Sequence, residues 1–110
     1  MHISDEGLLT QLGYNSDEAN LHQLRIIQEK TPGFDQIKRH ILALHDHLKN
    51  YGGFVAISSS QPYFKIKLDP KDPSALEQAL EEMNRWANKY KVRLQKVQDK
   101  QTYYILGLST

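Results

Sequence analysis

Apolar residues recur four and three positions apart along two stretches of the chain. Ile37, Ile41, Leu44, Leu48 and Tyr51 form one series, and Leu76, Leu80, Met83, Ala87 and Tyr90 form the other. That spacing lays a continuous stripe along one side of a helix, so helices are predicted over about 34–50 and 74–90. Two strand-like runs follow each helix: 54–58 and 63–68 after the first, 92–97 and 102–108 after the second. The run 63–68 alternates cleanly, with Phe64, Ile66 and Leu68 on one side and Tyr63, Lys65 and Lys67 on the other.

Shifting the first helical series by 39 residues places all five apolar positions on apolar positions of the second, and the strands follow at 39 or 40. The chain therefore reads as an αββ unit used twice. Duplication and the shared physics of two αββ units predict the same architecture. Each helix opens beside a residue–Pro pair, Thr31-Pro32 and Asp72-Pro73. Thr and Asp are expected to cap the free N–H groups there, with Pro in the first turn. Gly52-Gly53 is expected to close the first of the two helices.

Two shorter helices are predicted ahead of this pair. Ser4 is placed to cap 5–12, with Leu8, Leu9 and Leu12 as its apolar residues and Gly13 as its stop. Ser16 is placed to cap 17–30, with Ala19, Leu21, Leu24, Ile26 and Ile27 as a docking stripe. The fold expected is α+β: two N-terminal helices followed by αββαββ, with one four-stranded sheet and helices mainly on one face. It forms a single domain, 1–110, divided into a helical N-terminal region over residues 1–31 and αββ units over 32–69 and 70–110. The helix side of the sheet would take Val55, Ile57, Phe64, Ile66, Leu68, Val92, Leu94, Tyr104, Leu106 and Leu108. The helix 74–90 is long enough for a parallel crossover, which would make the sheet mixed. The pattern leaves the strand order open.

A chain of 110 residues with 39% hydrophobic and 25% charged content has the size and balance of one globular domain. The absence of cysteine excludes disulfides, a thiolate nucleophile and zinc–sulfur sites. The first thirteen residues carry acids where a secretory leader carries bases, and no run approaches a membrane span, so a cytoplasmic protein with no membrane contact is expected. Net charge is +1, but it is unevenly spread. Residues 1–35 hold six acids against Arg25 and Lys30, while 89–110 hold five bases against Asp99.

Candidate chemistry is sparse. His40, His45 and His47 are spaced five and two apart, which suits neither helical metal-ligand spacing, so no metal is expected. Ser58, Ser59 and Ser60 lack an elbow motif, and Gly52-Gly53 is not a phosphate loop. The expectation is therefore a protein that is not an enzyme and has no cofactor. Helices 5–12 and 17–30 have a helix-turn-helix outline, but the second carries Asp17, Glu18 and Glu29, which would repel phosphates.

If helices cover one side of the sheet, the other shows Phe54, Tyr63, Lys65, Lys67, Arg93, Gln95 and Tyr103. Two functions follow from that face. The first is an interaction module that binds a protein partner or associates with itself. The second is binding of single-stranded nucleic acid, with rings stacking on bases and cations meeting phosphates.

Overall fold

The two apolar stripes fold as predicted, each with a distinct cap. The computed structural model describes residues 4–58 and 60–108. Met1, His2, Ile3, Ser59, Ser109 and Thr110 lie outside the described residues, and with them the start of the N-terminal helical region and the middle serine of 58–60. The elements are α1 (Asp5–Gln11), α2 (Glu18–Lys30), α3 (Phe34–Leu48), a 3-10 turn (Lys49–Tyr51), β1 (Gly53–Ile57), β2 (Phe64–Leu68), α4 (Pro73–Tyr90), β3 (Val92–Lys96) and β4 (Thr102–Leu108).

Asp72 caps α4 by accepting the Ala75 N–H at 2.8 Å, and Pro73 follows in the first turn. Ser4 caps α1 through the Gly7 N–H at 3.0 Å. Asp17 rather than Ser16 caps α2, accepting from Asn20 at 2.9 Å. The expected Thr31 cap is not made. Gly33, at φ 72°, occupies the position before α3, and Thr31 instead ends α2. The Thr31 backbone carbonyl, not its side chain, accepts the Phe34 N–H at the start of α3, at 3.2 Å. The Thr31 hydroxyl is buried and, among the described residues, has no hydrogen-bond partner.

The sheet order is β1-β2-β4-β3, with every neighbouring pair antiparallel. β2 and β3 run in the same direction, but β4 lies between them, so the crossover through α4 does not create the mixed sheet expected. This order is the one that a two-fold axis between β2 and β4 generates from a single αββ unit. Helices α3 and α4 pack on each other and on the sheet. The core brings Ile37, Ile41, Leu44 and Leu48 of α3 and Ala79, Met83 and Trp86 of α4 against Val55, Phe64, Ile66, Val92 and Ile105. α1 and α2 pack together, tied by Gln28 donating to Asp5 at 2.8 Å, and Leu8, Leu9, Leu24 and Ile27 join the same core.

An edge strand has unpaired N–H groups and invites a second strand unless it is blocked. On β1 the outward N–H of Val55 donates to His45 Nδ1 at 3.0 Å, and that of Ile57 donates to the Tyr14 hydroxyl at 2.9 Å. A side chain from α3 and another from the α1–α2 connection thus seal this edge. Accepting through Nδ1 requires a neutral His45 with its proton on Nε2. Burial, then the Lys49 charge, hold its pKa below 6.5, with Asp46 pulling the other way. The unfolded chain therefore takes up a proton near pH 6.5 that the folded chain resists. Stability from this group is fully present above about pH 6.5 and falls as the pH drops toward the lower folded pKa. Urea titrations between pH 7.5 and pH 5 should show that decline. His45→Asn, which keeps an acceptor but cannot titrate, should flatten it. His40, also held low by burial and then by Arg39 and Lys89, leaves a residual slope of the same sign.

Candidate binding face

In an antiparallel sheet, directly opposed residues point to the same side. Lys65 lies between Ala56 and Tyr104, and Tyr104 between Lys65 and Gln95. Lys67 lies between Phe54 and Thr102. These positions alternate with Val55, Phe64 and Ile66, which are buried under the helices, so they form the outer side. Tyr63 continues it one step before β2, opposite Ser58, whose N–H donates to the Tyr63 carbonyl at 3.1 Å. Its ring stands 6.1 Å from that of Tyr104, in the diagonal relation expected of neighbouring strands. Phe54 is 39% exposed.

Six of the seven residues expected on this face are therefore placed on it: Phe54, Tyr63, Lys65, Lys67, Arg93 and Gln95. Tyr103 is not. It stands opposite Ile66 and Lys96, packs against the core, and burial raises its phenol pKa. Tyr104 takes the outer place. The reason is an irregularity in the β3–β4 ladder. Arg93 pairs with Gly107 but Leu94 pairs with Ile105, leaving Leu106 without a counterpart. Counting back by twos from Leu108, which does pack on the core, places Leu106 and Tyr104 inside. The extra residue reverses that phase, so Ile105 and Tyr103 face in.

The charge on the strands is of one sign. Among the described residues, the four strands carry Lys65, Lys67, Arg93 and Lys96 and no acid. The acids lie on the helices, at their caps and in the connections. At one corner of the face the Ser58, Ser60 and Tyr104 hydroxyls form a chain with steps of 3.4 Å each. The Ser60 hydroxyl lowers the Tyr104 pKa most; burial opposes it, and the Ser58 hydroxyl and the Lys65 and Lys100 charges add to the lowering.

The three clustered histidines diverge. His40 stacks on Tyr90 with centroids 3.7 Å apart, His45 seals β1, and His47 pairs with Glu82 at 3.1 Å. Among the described residues no group of three or more His, Cys, Asp or Glu is arranged to hold a metal, and no helix is long and apolar enough to cross a membrane. His47 and Glu82 rim an open groove of about 340 Å³ between α3 and α4, floored by Leu44 and Trp86. Glu82 is held there by His47 and by Arg85, also at 3.1 Å, and no serine, threonine or cysteine lines the groove. Trp86 is buried and donates its indole N–H to the His40 carbonyl at 2.8 Å, tying α4 to α3.

Compared with protein-family models, with curated proteins and with solved structures, the chain matches none.

Proposed function

We propose that the protein is a non-catalytic binding module whose outer sheet face receives single-stranded nucleic acid. One observation carries this reading: Lys65, Lys67 and Arg93 share a face with Tyr63, Tyr104 and Phe54, on strands without an acid. Cations spaced along a sheet neutralise a phosphate backbone, while flat rings between them stack on unpaired bases without regard to sequence. Its strands rise about 3.3 Å per residue, which suits an extended chain.

Self-association through this same face is less favourable on charge grounds. A two-fold contact sets each patch against its own copy, so Lys65, Lys67 and Arg93 would oppose the same three cations. An acidic protein surface remains the competing partner, drawn by the same charges and by exposed Phe54.

Fluorescence anisotropy with a labelled oligothymidylate at low salt tests the assignment. Binding is expected, with a log–log salt slope of about −2 if the three cations each neutralise one phosphate. Changing Lys65, Lys67 and Arg93 together to Glu should abolish it. No binding at low salt, or binding indifferent to the triple change, overturns the nucleic-acid reading in favour of a protein partner. A concentration-dependent dimer in light scattering that the triple change dissociates would show that the face serves self-association.

A further inference from the structure

The Ser58–Ser60–Tyr104 corner has a chemistry that the rest of the face lacks. Ser58, 3% exposed, accepts the N–H groups of Ser60 at 3.3 Å and Gln61 at 3.2 Å, which fixes the turn. Its hydroxyl lies 3.4 Å from that of Ser60, which lies 3.4 Å from the Tyr104 hydroxyl. Hydroxyl-to-hydroxyl bonds are strongest near 2.7–2.8 Å, so these contacts leave the Ser60 and Tyr104 protons underused. An oxyanion seated between the two could accept from both at shorter range than they reach each other. The charges acting on the Tyr104 phenol are those of Lys65, its direct neighbour across the sheet, and Lys100 in the β3–β4 turn. The Tyr63 ring stands beside the same phenol.

We propose that this corner is a phosphate seat: Ser60 and Tyr104 donate their hydroxyl protons to one phosphodiester of the bound strand, Lys65 and Lys100 balance its charge, and Tyr63 stacks on an adjacent base. The proposal rests on the nucleic-acid reading of the sheet face and adds a defined anchor to it. The corner differs from the flat basic surface because two of its four ligands are neutral hydroxyls. Removing them leaves every charge and every ring in place.

The test uses the whole protein and the double substitution of Ser60→Ala with Tyr104→Phe. Inorganic phosphate is titrated first, with amide shifts read by NMR and sodium chloride of equal ionic strength as the control. Phosphate should move the amides of Ser60, Gln61 and Tyr104 to saturation in the wild type and not in the double variant. Oligothymidylate should then bind the double variant about tenfold more weakly, the size expected for lost hydrogen bonds to a charged group, with the salt slope unchanged. A circular dichroism melt confirms that the variant is folded. Shifts no larger than those from chloride, or equal oligonucleotide affinity in variant and wild type, overturn the phosphate seat while leaving the sheet-face reading standing. Phosphate bound at the corner without oligonucleotide binding has the opposite meaning. The corner would then hold a phosphate carried by something other than nucleic acid, and the strand assignment falls.

Discussion

Gly107→Ala should destabilise the protein by about 3 kcal/mol or more, combining backbone strain with overpacking. Gly107 has φ 122°, a conformation that L side chains rarely adopt. A Cβ there would stand 2.7 Å from Cδ of Pro32 and 2.8 Å from its backbone N and O. That neighbour cannot move aside, because the next residue, Leu108, donates its N–H to the Pro32 carbonyl at 2.9 Å. This contact joins the end of the sheet to the connection between α2 and α3. Gly13→Ala supplies the comparison: its φ is 90°, but nothing lies within 4 Å of the added carbon. It should lose only the conformational contribution, about 1–2 kcal/mol. Urea unfolding of both variants checks the point. Equal losses would mean that the Pro32 contact carries no weight.

Phe64→Ala should lose about 3–5 kcal/mol, the range for emptying a buried aromatic site. Phe64 is 1% exposed and is the largest of the fully buried side chains. It lies between Ile57 and Ile105 across the sheet and stacks on Phe34 at 6.0 Å. It therefore joins the first turn of α3 to the middle of the sheet, and rigid neighbours on several sides limit collapse into the void. The neighbouring Lys65→Ala, on the opposite side of the same strand, should change stability by less than about 0.5 kcal/mol while weakening oligonucleotide binding. A Phe64→Ala variant with a nearly unchanged urea midpoint would contradict this packing.

The contrast between Phe64 and Lys65 was already present in the alternation of 63–68. That alternation carried over because β2 is regular and pairs without irregularity on both sides. The helical stripes carried over for a similar reason: 4-3-4-3 spacing has one way to bury a face. Asp72-Pro73 is likewise a local signal read locally, since the cap bond spans three residues. Thr31-Pro32 looked the same in sequence and behaved differently, because Gly33 took the turn that a capping Thr31 would have needed.

The misplacement of Tyr103 shows where local reading ends. Counting by twos along 102–108 places Tyr104, Leu106 and Leu108 inside and Tyr103 outside, although both tyrosines suit either side. Pairing with β2 decides it, since Ile66 and Phe64 stand against Tyr103 and Ile105, and the irregularity beside Leu106 absorbs the conflict with Val92 and Leu108. His45 gave no signal either. Its partner, the Val55 N–H, is ten residues away and becomes available only because β1 lies at an edge.

The amino-acid order thus determined the elements, their α-β-β succession and the inward and outward residues of the first three strands, because periodicity is a property of neighbours along the chain. Strand order, the face of Tyr104, the sealing of β1 and the hydroxyl corner came only with tertiary structure. Each depends on which strand lies beside which, and hydrogen-bond register between distant segments is settled by the joint packing of all of them.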